Sequence, residues 1–187
     1  MSINLLEKIQ QNLGYPPLHK VDPNMHHDIP DKAAQCTLTG VLTGFYRYVQ
    51  TDEGAEQVLR GYNSTNWADE IFEDHSNEVV NTIADCSGNS PHDTKENINA
   101  VAREVVRATK EVLPANATIK DVKSFFTSQR NTILTYLPPS LHMGDWLHDT
   151  ALDDMTNKME GPISNLIKNI GSAFSKPVTD EEVKQHH

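Results

Sequence analysis

The chain has 187 residues, of which 26 are acidic and 16 are lysine or arginine, giving a formal net charge of −10. A chain of this length can bury a core without help from metal ions or disulfides. The acidic balance, with no cluster of lysine and arginine, argues against nucleic acid as a partner. No run of about eighteen apolar residues is present, and the first residues lack the features of a signal peptide. The sequence therefore predicts a cytoplasmic protein with no membrane partner.

Apolar residues recur at helical spacing along most of the chain, and no segment sustains the alternation of a half-buried strand. We therefore expect an all-α fold, a single bundle of about six to eight helices built from helical hairpins. Residues 1–30 are predicted to form a short helix, ended by Gly14, and an irregular arm. The helical domain is predicted over residues 31–174, and residues 175–187 form a polar tail that frays.

The first long helix of the domain is predicted over about residues 31–50. Its core face consists of five apolar residues at helical spacing: Leu38, Val41, Leu42, Phe45 and Val49. Thr51 follows and can cap the next helix, because its hydroxyl can accept a hydrogen bond from an amide of the first turn. A short amphipathic segment then places Trp67, Ile71 and Phe72 toward the core.

Helix starts in the second half of the domain are predicted from their capping residues. The candidates are Ser76, Ser90 followed by Pro91, and Thr118 with Asp121 in a variant of the capping box. Gly88 stands where a left-handed residue would end the helix that starts at Ser76.

A last apolar stripe covers residues 151–174 and is interrupted by Gly161-Pro162. Its members are Met155, Met159, Ile163, Leu166, Ile170 and Phe174. Since the bundle could close without this stripe, it is a candidate surface for a protein partner or for a second copy of the chain. Methionines would make such a surface adaptable. The alternative is that the stripe completes the bundle.

The chain has two cysteines, Cys36 and Cys86, which are fifty residues apart and outside any CxxC motif. This spacing argues against a disulfide framework and against a thiolate zinc site. Each cysteine is expected to be a small buried apolar side chain.

Two histidines and four aspartates occur in LHMGDWLHDTALDD, residues 141–154. If this segment were helical, His142, Asp145 and Asp149 would project from one face with His148 close by, and the four could bind zinc, manganese or iron. The alternative is a solvated acidic segment, in which case no cofactor is expected. His75 is expected to interact with the C-terminal end of a helix dipole or to form an interhelical hydrogen bond. Either His75 or His92 could otherwise assist a metal site.

Three stretches in this order resemble a bacterial family catalogued as domain of unknown function 937. They are LTGVLTGFYRYVQTDEGAEQVL (38–59), IFEDHSNEVVNTIADCSGNSPHDTKENI (71–98) and FFTSQRNTILTYLPPSL (125–141). The resemblance implies a compact bundle of helical hairpins in a bacterial protein. It supplies no catalytic residue.

The segment WLHDTAL also resembles the central motif of the helical phosphohydrolases named for their His-Asp pair. That family requires a histidine on the preceding helix, and none lies between His92 and His142. The chain also lacks the nucleophile elbow and the glycine-rich phosphate loop of common enzymes. The sequence therefore favours a non-enzymatic helical interaction or structural module, with a metal-dependent hydrolase as the alternative.

Overall fold

The computed structural model of the chain describes residues 3–21 and 31–143. These residues form seven α-helices and two short 3₁₀ turns, and no strand occurs among them, which confirms the all-α prediction. The helices are α1 (Leu5–Asn12), α2 (Lys32–Tyr48), α3 (Asp52–Arg60), α4 (Trp67–Phe72), α5 (Ser76–Ser87), α6 (Pro91–Val112) and α7 (Ile119–Tyr136). The 3₁₀ turns are Glu73–His75 and Pro139–Leu141.

Helix α2 is the centre of the bundle, and helices α1, α4, α5, α6 and α7 pack against it. All thirteen residues from Ala34 to Tyr46 are buried, so the helix is enclosed on every side and not only along the predicted face. Full burial is possible because its polar side chains are short or bonded to backbone. Thr39 donates to the carbonyl of Gln35 at 2.7 Å, and Thr43 donates to the carbonyl of Thr39 at 2.8 Å.

The predicted helix boundaries are confirmed at four places. The hydroxyls of Thr51, Ser90 and Thr118 each accept a hydrogen bond from the amide three residues later, and Asp121 completes the capping box at Thr118. Gly88 ends α5 with a φ of 75°, in the left-handed region that favours glycine.

The prediction that Ser76 caps α5 is wrong. The 3₁₀ turn Glu73–His75 leads directly into α5, so Ser76 already has helical dihedral angles, whereas a capping residue has an extended backbone. The Ser76 hydroxyl instead donates to the carboxylate of Asp69 on α4. This bond connects α4 to the start of α5.

The prediction that Cys36 and Cys86 are unpaired is also wrong. Their sulfurs are bonded, and the two Cα atoms are 6.1 Å apart. Cys36 lies near the start of α2 and Cys86 near the end of α5, and these helices pack antiparallel, with Gly40 against Ile83 one turn further on. Spacing along the chain could not reveal a pair that depends on which two helices become neighbours.

Other predictions fall on residues outside the described part. These are the stripe over 151–174 and the tail 175–187, so the division into domains stays a prediction. All described residues belong to one compact unit, Met1–Asp149. None of the described helices combines the length and the hydropathy that a membrane span requires.

Candidate functional site

The predicted metal site is described only at its first residue. His142 is exposed and lies at the end of the turn Pro139–Leu141 with a φ of 45°. Asp145, His148 and Asp149 lie outside the described residues, so this ligand set stays a prediction. Within 3–21 and 31–143, no three histidine, cysteine or acidic side chains are grouped so that they could hold a metal ion.

Two further histidines considered for that site lie beside glutamates in their own helical segments. His75 Nδ1 is 3.6 Å from a carboxylate oxygen of Glu78, and His92 Nε2 is 3.6 Å from a carboxylate oxygen of Glu96. His92 is 82% exposed. In each case the glutamate lies three or four residues along the chain, so these contacts are local.

A different site appears as a cavity of about 870 Å³ where the end of α2 and the start of α3 meet α4. It is partly open to solvent, and one arginine and four acidic residues are among the side chains that line it. The groups that matter for its chemistry are Arg47, Tyr48, Glu53, Asn66, Glu70 and Glu73. Sequence analysis missed all six. The only signal was the density of acidic residues in DEIFED, residues 69–74.

The tight connection between α2 and α3 forms one wall of the cavity. The Thr51 hydroxyl donates to the carbonyl of Tyr48 at 2.9 Å and accepts from the amide of Gly54 at 3.0 Å. A Cβ atom on Gly54 would lie only 2.1 Å from the Tyr48 carbonyl oxygen. Glycine therefore allows the two helices to approach closely, and this approach sets Tyr48 beside the first turn of α3.

Helix α4 and the residue after it form the opposite wall. Ile71 and Phe72 are buried and pack on Gly44 of α2, where a Cβ would lie 2.5 Å from a ring carbon of Phe72. Glu73 then has a φ of 49° and a ψ of −129°, a backbone conformation that residues other than glycine rarely adopt. The chain turns sharply at this point, and Glu73 lines the cavity.

Two polar atoms at the cavity lack hydrogen-bond partners. Arg47 Nη1 and Asn66 Oδ1 are both shielded from water and unbonded. The orientation of the Asn66 amide is fixed by chemistry, because its Nδ2 donates to the Asp69 carboxylate, which can only accept. A buried donor or acceptor without a partner costs roughly 1–3 kcal/mol.

The carboxylates around Tyr48 make the cavity electronegative. Burial raises the pKa of Tyr48 to about 12, and the carboxylates of Glu70 and Glu53 add to the rise. Glu70 accepts from the hydroxyls of Tyr62 at 3.4 Å and Ser64 at 3.3 Å. The carboxylates of Glu53 and Glu73 belong to exposed residues and form no ion pair or side-chain hydrogen bond within residues 3–21 and 31–143. Tyr48 is therefore neutral at physiological pH and lies close to several carboxylates.

Asp69 gives the α4–α5 junction a testable pH dependence. Its pKa is lowered by the hydrogen bond from Ser76 and by Lys95, whose Nζ lies 3.2 Å away. Because the pKa of Asp69 is lower in the folded chain than in the unfolded chain, the ionised carboxylate stabilises the fold. This contribution is complete above the unfolded pKa of about 3.9 and is lost as the pH falls through the folded pKa.

We expect Asp69→Asn to lower the free energy of unfolding at pH 7 by less than about 1 kcal/mol, since the Asp69 side chain is half exposed. The difference from wild type should shrink as both proteins are acidified below the carboxyl range. Urea unfolding across that range measures it, with Asp74→Asn as the control. A difference that did not change with pH would contradict this role for Asp69.

No protein-family model, curated protein or solved structure matches the chain. The resemblance to the domain of unknown function 937 family therefore stays a prediction. A role for the chain has to be argued from the geometry of its own residues.

Proposed function

We propose that the chain is a non-enzymatic helical module that acts by binding, with the stripe over residues 151–174 as a surface for a partner protein or a second copy. The observation that supports this is the enclosure of α2 by five helices of the unit Met1–Asp149. Because these helices already enclose α2, the stripe is not needed to cover that helix. An apolar stripe that the core does not require would suit association.

The roles of the acidic groups also favour binding over catalysis. Asp93 and Asp121 accept hydrogen bonds from the capping residues Ser90 and Thr118. With a pKa of about 12, the Tyr48 hydroxyl stays protonated at neutral pH and therefore cannot act as a general base. Asp93 and Asp121 therefore have structural roles at helix starts.

The association surface can be tested with full-length protein. We expect sedimentation equilibrium to show a dimer that dissociates in the double variant Ile163→Asp/Ile170→Asp, because a carboxylate in an apolar interface is costly to desolvate. Asn165→Asp is the control for added charge, since it places one carboxylate on the polar face of the stripe, against the two that the double variant places on its apolar face. A wild-type monomer at every concentration, or a dimer that tolerates both aspartates, would contradict self-association.

Origin and location form part of the same proposal. The bacterial origin rests on the family resemblance, and the cytoplasmic location on the sequence. The Cys36–Cys86 disulfide bears on location, because such bonds persist mainly in oxidising compartments. A cytoplasmic protein would hold these thiols mostly reduced, and trapping free thiols by alkylation at the moment of cell lysis distinguishes the two states.

The alternative proposal is a metal-dependent hydrolase that uses His142, Asp145, His148 and Asp149. The one observation in its favour is the exposed imidazole of His142, which is accessible to an ion. This alternative requires one zinc, manganese or iron ion per chain after dialysis against chelator and re-addition of metal. It also requires His142→Ala to lose that ion. Absence of retained metal would remove the alternative.

A further inference from the structure

The Cys36–Cys86 bond has one sheltered end and one end near the surface. Cys36 is fully buried in α2, whereas Cys86, the next-to-last residue of α5, is only half-buried. The Cys86 sulfur accepts a hydrogen bond at 3.5 Å from the hydroxyl of Ser140, which is an exposed residue. A disulfide exchanges with an external thiol when a thiolate can approach one of its sulfurs. Cys86 is therefore the end at which the bond can be cleaved while the chain stays folded.

The number of cysteines sets what kind of molecule could cleave the bond. The chain has two cysteines, and both belong to this bond, so no thiol of the chain itself is left to exchange with it. The attacking thiol must come from outside. In a cytoplasm, the location proposed above, disulfides are rare and those that form are mostly transient and redox-sensing.

The turn Pro139–Leu141 packs against the same place on the bundle as the bond. Ser140 contacts the Cys86 sulfur, and Leu141 is fully buried beside Gly40 of α2, where a Cβ would lie 3.8 Å from Leu141 Cδ1. Gly40 lies one helical turn beyond the bonded cysteine of α2. The bond therefore fixes the junction of α2 and α5 on which the turn is seated.

From these features we infer that the Cys36–Cys86 bond is a reversible redox switch, which an external dithiol opens through Cys86 and whose opening loosens the turn Pro139–Leu141. The inference goes beyond the proposed binding function and does not depend on it. It concerns residues that the structure describes, and it assigns the disulfide a role besides stability.

The exchange proceeds in two steps. A thiolate of the dithiol attacks the Cys86 sulfur and forms a mixed disulfide, and Cys36 leaves as a thiolate that takes up a proton. The second thiolate of the dithiol attacks its own bonded sulfur, and Cys86 leaves while the Ser140 hydroxyl donates to it. Two electrons and two protons thus pass to the protein, and the dithiol becomes a disulfide. The reverse sequence, with a disulfide as the oxidant, closes the bond again.

The first test measures cleavage of the bond in the folded full chain. The oxidised chain is treated with dithiothreitol, and the thiols that appear are alkylated and counted by mass spectrometry. We expect the rate to be the same with and without a urea concentration that leaves the chain folded. A rate that rises steeply with such urea would show that the bond opens only through global unfolding, and would overturn the inference.

Single cysteine variants identify the sulfur that is attacked. Cys86 in Cys36→Ala should be alkylated about tenfold faster than Cys36 in Cys86→Ala, because the buried thiol is shielded from the reagent. Equal rates, or a faster rate at Cys36, would overturn the assignment of Cys86. Thermal melting verifies that both variants are folded, and the urea test on the wild-type chain needs neither of them.

The role of Ser140 is tested in the Cys36→Ala background. Adding Ser140→Ala should slow alkylation of Cys86 by roughly threefold, because the thiolate loses a hydrogen-bond donor. Ser87→Ala is the matched control, since it removes a neighbouring hydroxyl that donates to the carbonyl of Ala84 instead. An unchanged rate in Ser140→Ala would contradict the step in which Ser140 assists Cys86.

Amide hydrogen exchange tests the loosening of the turn. The amides of Leu141 and His142 bond to carbonyls at the start of the turn. We expect both to exchange at least about threefold faster in the reduced chain, through local opening. The control is the amide of Ala117, which is bonded within the connection between α6 and α7 and should exchange equally in both states. Unchanged exchange in the turn, or an equal increase at Ala117, would overturn the switch and leave the proposed function standing.

Discussion

Replacing both cysteines, as Cys36→Ala/Cys86→Ala, is expected to lower the free energy of unfolding by about 4 kcal/mol. The bond joins residues separated by 50 positions and encloses α3, α4 and most of α2 and α5. A cross-link around so long a loop removes many conformations from the unfolded chain, and its loss restores them. Urea unfolding followed by circular dichroism measures the effect.

The same experiment includes its own control. A reducing agent should destabilise the wild-type protein by a similar amount and should leave the double variant unaffected. If the reductant changed neither protein, or changed both equally, the disulfide would not contribute to the stability of the folded chain.

Gly54→Ala is expected to lower the free energy of unfolding by about 3 kcal/mol. The added Cβ would meet the Tyr48 carbonyl oxygen at 2.1 Å, and a backbone atom cannot rotate away as a side chain can. Helix α3 must therefore move away from the end of α2. The higher helix propensity of alanine offsets at most about 1 kcal/mol of this cost.

Gly40→Ala is the matched comparison. A Cβ there would lie 2.9 Å from Cδ1 of Ile83, the far end of a flexible side chain, so a rotation relieves most of the contact. We expect a loss of roughly 1 kcal/mol or less. A variant at Gly54 that was as stable as the one at Gly40 would contradict the role assigned to the close approach of α2 and α3.

The parts of the fold that the sequence predicted correctly depend on neighbours within one helical turn. A threonine that bonds to the amide three residues on, as at Thr51 and Thr118, is visible in a short stretch of sequence. The same is true of Gly88, which ends a helix that its apolar stripe had already defined.

Features that depend on distant segments could not be predicted in this way. Gln129 accepts from the amide of Leu5 and donates to the carbonyl of Ile3, more than 120 residues away in the chain. A glutamine in an amphipathic helix is normally assigned to the solvent face, and only the packing of α1 against α7 buries it. The disulfide was missed for the same reason.

The candidate site was missed because none of its residues stands out in the sequence by itself. Arg47 and Glu73 have no shared motif, and they line one cavity only because α2 and α4 pack together. The segment that did attract attention, 141–154, is dense in histidine and aspartate, but density alone does not show that side chains converge.

The most direct test of the proposed binding function is sedimentation equilibrium of the full-length chain beside the double variant Ile163→Asp/Ile170→Asp. The proposal predicts a wild-type dimer that dissociates in the double variant. A wild-type chain that stays monomeric at every concentration, or a dimer that persists in the double variant, would contradict self-association through residues 151–174.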